Sequence, residues 1–139
     1  MKHLLLLALT ALSFTSQGQT IVGQWETFDD KTKEKKAVIE IYQENNRYFA
    51  KIVESFASEK GAVCETCKGK RKGKPIIGLN IIENLVKDGD EYNGGSIIDP
   101  ENGKTYKCYL ELVNQNKLKV RGYLGFAVFG RTQYWTRKK

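Results

Sequence analysis

The sequence predicts an all-β fold, an antiparallel up-and-down β-barrel of about eight to ten strands. Three observations carry this expectation. Apolar and polar side chains alternate in short runs, as in strands with one buried face. Clusters of Gly, Asn, Asp and Pro separate the runs. No long amphipathic helix stands out between them. A closed barrel is favoured over a β-sandwich because closure removes the unpaired edges of the sheet.

Before the first strand, the chain begins MKHLLLLALTALSFTSQGQT. Lys2 and His3 precede an apolar run from Leu4 to Leu12, and Ser16 and Gly18 are small residues spaced for cleavage. This is the layout of a signal peptide over residues 1–18, leaving residues 19–139 as a single barrel domain. The apolar run is too short to serve as an anchor across ~30 Å of hydrocarbon. The expected location is therefore outside the cytoplasm, in a periplasm or the extracellular medium.

Residues 21–28 read as a first strand and residues 36–43 as a second, with Ile39 and Ile41 on one face. Glu44, Asn45 and Asn46 form a hairpin turn before a third strand over residues 47–55. Residues 58–75 are irregular, rich in Gly and Lys. The apolar run 76–85 fits either a strand or a helical turn, since periodicity does not separate the two. Residues 91–99 form a strand in which Gly94 and Gly95 indicate a bulge or a close backbone approach. Pro100 and Gly103 mark a turn. In the strand 104–113, Tyr106, Cys108, Leu110 and Leu112 share one face, and Lys107, Tyr109 and Glu111 the other. After a turn at residues 114–116, the strand 117–124 sets Leu118, Val120, Gly122 and Leu124 opposite Lys117, Lys119, Arg121 and Tyr123. Residues 130–137 close the chain.

Charge and composition remove several functional classes. Lys and Arg number 23 against 16 Asp and Glu, with lysines concentrated at residues 31–36 and 68–74. Export makes nucleic acid an unsuitable partner for this basic balance, and solvated loops are favoured over a binding patch. The one histidine is His3, inside the leader. The mature chain thus lacks Ser–His and Cys–His catalytic pairs and histidine metal sites. No catalytic constellation, metal or cofactor is expected, and the protein is read as a non-enzyme.

Gly23-Gln24-Trp25 on the first strand and Arg131, Trp135 and Arg137 on the last resemble the signature of lipocalin-like barrels. In that signature a Trp plugs one end, and a basic side chain of the last strand lies across its ring. The mature chain more specifically resembles the domain-of-unknown-function family 2147, a family of uncharacterised exported bacterial proteins. The matching stretches run in order from Gly23-Gln24-Trp25 through Cys64-Glu65-Thr66-Cys67, Pro75-Ile76-Ile77-Gly78-Leu79, Gly94-Gly95 and Asp99-Pro100. They continue through residues 103–108 and 120–123 to the ending 130–137. The resemblance implies export and a lipocalin-like barrel, and brings no established activity.

Two groups of residues are candidate sites. Cys64 and Cys67 form a C-x-x-C, readable as a structural disulfide, a redox pair or part of a metal site. In an oxidising compartment the structural disulfide is favoured. A bridge from either to Cys108 would close about 40 residues and stabilise by roughly 4 kcal/mol. The local pair with Cys108 as a free buried thiol is preferred. The second group is Trp25, Tyr106, Arg121, Arg131, Trp135 and Arg137, together with Tyr123 and Tyr134, which serve either barrel closure or a ligand carboxylate. Closure is favoured, and alternation turns Arg121 outward. Asp99, Glu101 and Glu111 read as turn and surface residues, not as acid–base catalysts.

The function expected is a noncatalytic barrel of the cell envelope binding a small apolar or amphipathic ligand. One alternative is a barrel packed solid, acting as an interaction module for an envelope protein. Another is a thiol–disulfide redox protein using Cys64 and Cys67.

Overall fold

The computed structural model describes residues 19–126 and 128–139. The predicted leader, residues 1–18, lies outside the described residues. Eight strands follow in chain order: β1 (Gly23–Phe28), β2 (Lys35–Glu44), β3 (Arg47–Ser55), β4 (Asn80–Asp88), β5 (Glu91–Ile98), β6 (Thr105–Asn114), β7 (Lys117–Tyr123) and β8 (Gly130–Arg137). Each pairs antiparallel with its neighbour, and β8 returns to β1 to close the barrel. The expected up-and-down barrel is present, and the sandwich is not formed.

Alternation places Trp25, Ile39, Ile41, Ala50, Ile52, Leu110, Leu118 and Val120 in the buried interior. On the outer wall, lysine stems lie over aromatic rings. Lys117 Nζ is 4.7 Å from the Tyr134 centroid, and Lys51 Nζ is 5.4 Å from that of Tyr42.

The two ends of the barrel differ. At the base, short hairpins join β2 to β3, β4 to β5 and β6 to β7. Asn45 and Asn46 both have positive φ (51° and 62°), the backbone of a tight hairpin that matches strand twist. At the other end, the mouth, the connections are residues 29–34, 56–79, 99–104 and 124–129. Short connections let the base close tightly, whereas long ones leave the mouth to be shaped by loops.

The strand boundaries depart most from the sequence expectation at β1 and β4. The first strand begins at Gly23, because Ile21 turns under the base and its carbonyl accepts the Trp25 indole N–H at 2.8 Å. The run 76–85 resolves into a turn at residues 76–79 followed by β4, which continues to Asp88. Within β4, Asn84 has φ 62°. This irregularity lets Ile82 and Leu85, three residues apart, both face the core. Gly94 and Gly95 lie opposite. Gly94 has φ 78°, and a Cβ at Gly95 would overlap the Glu83 carbonyl oxygen and backbone atoms of Asn84 and Leu85. The glycine pair is therefore the counterpart of the β4 irregularity, and the close approach expected from sequence is present.

The segment 56–79 is irregular, as expected, with one 3₁₀ turn at Gly69–Arg71. Backbone hydrogen bonds hold it together: Cys64 N–H donates to Lys74 O at 2.8 Å, and Gly73 N–H to Cys64 O at 3.0 Å. Arg71 fastens it to the outer wall through Glu83 at 3.0 Å and through its Nε donating to Asn80 O at 2.9 Å.

Gly95→Ala is expected to destabilise the barrel by about 3 kcal/mol, because the overlapping atoms belong to backbone that cannot rotate away. A fall in the urea midpoint of this variant, with Gly122→Ala as a control free of both overlap and positive φ, checks it.

Candidate ligand-binding cavity

The base is built around Trp25, which is completely buried. The Arg137 guanidinium lies over its ring, 4.3 Å from the centroid. All three guanidinium nitrogens donate to backbone carbonyls: Nε to Gln115 at 2.8 Å, Nη1 to Val22 at 3.1 Å and Nη2 to Thr20 at 2.8 Å. One side chain thereby ties the N-terminal segment to the β6–β7 hairpin across the barrel floor. Gly23 makes room for it. A Cβ there would sit 2.9 Å from Arg137 Nη1, and φ is +134°. The G-x-W spacing thus has a physical reason in this chain: the glycine admits the arginine that covers the tryptophan.

Above the floor the interior is solid. Ile41, Ala50, Ile82, Leu85, Cys108, Leu110 and Leu118 are buried, and Tyr48 meets Tyr92 edge to face at 4.8 Å. Nearer the mouth the barrel is hollow. A cavity of about 430 Å³ is bounded by Ile39, Ile52, Ile81, Ile97, Val120 and Trp135. Gly122 also lines it, with an interior-facing position that adds no side chain. Polar groups collect toward the opening. Lys36 pairs with Glu101 at 2.6 Å, and Arg131 pairs with Asp30. Tyr106, Tyr123, Ser55 and Gln133 also contribute to the wall. The Trp135 indole N–H donates to Gln133 Oε1 at 3.3 Å.

The sequence-predicted aromatic and basic residues divide among three places. Trp25 and Arg137 meet at the base. Tyr106, Arg131 and Trp135 line the cavity. Arg121 lies away from it, donating to Thr132 Oγ1 at 2.7 Å and to Val128 O at 3.3 Å. The basic residue across the tryptophan is therefore Arg137 alone, and the three arginines do not converge on a common ligand. Ile81, Ile97 and Gly122 belong to the wall without having been singled out as site residues. The signal for Gly122 was its place on the inner face beside Val120.

Cys64 and Cys67 form a disulfide, with Cα atoms 5.4 Å apart, and both are buried. The Thr66 hydroxyl between them donates to Pro100 O at 2.7 Å, clamping the disulfide loop onto the 99–104 turn at the mouth. Cys108 is a free buried thiol, and desolvation pushes its pKa up to about 12. Among the described residues, no group of three or more His, Cys, Asp or Glu side chains is arranged to hold a metal ion. No described helix is long and apolar enough to cross a membrane.

A family model for uncharacterised bacterial proteins, DUF2147, matches residues 23–137. The chain belongs to the DUF2147 family. Its barrel is similar to a protein of Helicobacter pylori, HP1028, described as belonging to the lipocalin family. The two share 18% sequence identity with a TM-score of 0.76, over 86% of this chain and 84% of that one. At this identity the likeness shows a lipocalin-like fold. A comparison with curated proteins found no match.

Two expectations follow for this DUF2147 chain. Arg137→Met is expected to cost about 2–4 kcal/mol, and Arg137→Lys nearly as much, because an ammonium cannot serve three carbonyls and cover the ring at once. Chemical denaturation followed by tryptophan fluorescence, to which the buried Trp25 and Trp135 both contribute, measures this. The Cys108 thiol ionises near 9.0 when unperturbed and near 12 in the fold. Between those values the unfolded chain releases a proton that the folded chain retains, so stability falls as pH rises through that window and is unaffected below it. Urea midpoints across pH 7 to 10 should show this slope reduced in Cys108→Ala.

Proposed function

We propose that this protein is a noncatalytic, exported binding protein of the cell envelope that holds one small apolar or amphipathic molecule in the mouth half of its barrel. The cavity carries the proposal. Its volume of about 430 Å³ lies within the roughly 300–1,000 Å³ typical of small-molecule sites. Its deep wall of isoleucines, Val120 and Trp135 suits an apolar body, and the paired charges and tyrosines at the opening suit a polar head. The fold shared with a lipocalin-family protein supports the same reading.

The noncatalytic character rests on the side chains available. The only histidine is His3, and among the described residues no cavity hydroxyl is hydrogen-bonded to a carboxylate or a lysine. Burial of both Cys64 and Cys67 counts against thiol exchange, which needs an accessible sulfur. The hollow upper half counts against an interior filled only by side chains. The leader-like residues 1–18 support export.

Native mass spectrometry of protein purified from its own envelope without detergent or reductant tests the reading directly. Extra mass lost on denaturation is expected. Gly122→Leu supplies the structural control, since a Cβ there meets only ordinary contacts, at 3.5 Å from Ile97 and 3.7 Å from Tyr106. The leucine should fill the cavity, keep the fold and weaken binding of a fluorescent fatty-acid probe at least about tenfold. Equal probe binding by a well-folded Gly122→Leu would overturn the assignment.

A further inference from the structure

The connection between β7 and β8 is unlike a solvated turn. From Leu124 to Gly130 it carries no polar side chain. Leu124, Phe126, Val128 and Phe129 are 60%, 77%, 74% and 71% exposed. Leu124 and Phe129 border the cavity opening, as do Ala57 and Ser58 from the other side, and Phe56 beside them is 57% exposed. Four strongly exposed apolar side chains on one loop, with Phe56 across the opening, mark an interaction face.

The loop's geometry suits a fluid apolar phase. Two backbone hydrogen bonds close it on itself, Phe129 N–H donating to Phe126 O at 3.0 Å and Leu124 N–H to Phe129 O at 3.4 Å. Groups paired in this way leave water at a lower cost than unpaired ones.

Charge at the same end favours one kind of partner. The segment 56–79 holds Lys60, Lys68, Lys70, Arg71, Lys72 and Lys74 against Glu59 and Glu65. Lys70 and Arg71 are engaged by Glu83, whereas Lys60, Lys68, Lys72 and Lys74 are exposed and have no acidic partner among the described residues. Nearby acids are mostly occupied: Glu101 by Lys36, Asp30 by Arg131, and Asp99 by the N–H of Glu101. The disulfide and the Thr66–Pro100 hydrogen bond hold the lysine-bearing loop against the mouth.

We infer that the mouth end of the barrel docks on an anionic lipid bilayer, with Phe126, Val128 and Phe129 entering the acyl region and the lysines of the 56–79 segment meeting the headgroups. Aromatic insertion supplies the apolar contact, and cations supply attraction to anionic lipid. The inference stands on the exposed rim and its charge, independently of any molecule held in the cavity. In this orientation the cavity opens toward the bilayer.

The test is flotation of residues 19–139, which contain every strand of the closed ladder, so that Leu4–Leu12 contributes nothing. Vesicles of phosphatidylcholine with equimolar phosphatidylglycerol should carry the protein, and vesicles of phosphatidylcholine alone should carry at least about tenfold less. The surface variant Phe126→Asp/Phe129→Asp should lose at least about tenfold in binding while keeping its circular dichroism, as should Lys60→Glu/Lys68→Glu/Lys72→Glu. Gly122→Leu should float like the parent, which separates docking from ligand binding. Failure of the parent to bind anionic vesicles, or undiminished binding by the phenylalanine variant, would overturn the inference. Dimerisation through the loop without vesicle binding would overturn it in favour of a second copy of the chain, and capture of a protein without vesicle binding in favour of a protein partner.

Discussion

Closure of the sheet between β1 and β8 is the constraint on which the barrel depends. Residue pairing there is limited to Trp25 with Arg137 and Glu26 with Thr136, whereas β7 and β8 pair over seven positions. So short a ladder needs reinforcement. Arg137 supplies it by binding three carbonyls while covering Trp25, and Lys138 N–H adds a further bond to Gln24 O at 2.9 Å. Without this seam, β1 and β8 would be two exposed edges. The interior would then have no floor for the apolar side chains above it to pack against.

The seam also determines where space remains. Tight hairpins and the Trp25 plug draw the base together, and the core fills completely through Leu110, Leu118 and the Tyr48–Tyr92 pair. At the mouth, long connections keep the strand ends from being sealed by a tight turn. Gly122 contributes no side chain there, and the cavity persists. The longest connection, residues 56–79, buries Cys64, Cys67, Ile76 and Leu79 but forms no strand of the barrel. A disulfide, a clamp on Pro100 and ion pairs to Glu83 order it further. Close packing and open space are thus assigned to opposite ends of one barrel.

This division explains which features were legible in advance. Alternation is a local property, so the runs in β2, β3, β6 and β7 showed both strand type and facing residues, including the inward Gly122 and the outward Arg121. Tight turns were legible for the same reason, since Asn45-Asn46 and Gly103 announce backbone conformations by residue type. The run 76–85 was ambiguous because its apolar residues obey no single period. The irregularity at Asn84 breaks alternation so that Ile82 and Leu85 share a face, and only pairing with β3 and β5 makes that arrangement favourable.

By itself, the sequence determined an all-β chain with a G-x-W at its start, arginines at its end and a C-x-x-C in a basic loop. Tertiary structure alone decided that Arg137, and not Arg131, reaches Trp25. It also decided that the barrel is solid at one end and hollow at the other. Each of these depends on distances between residues far apart in the chain. Strand register and loop anchoring set those distances, and no local pattern of residue types encodes them.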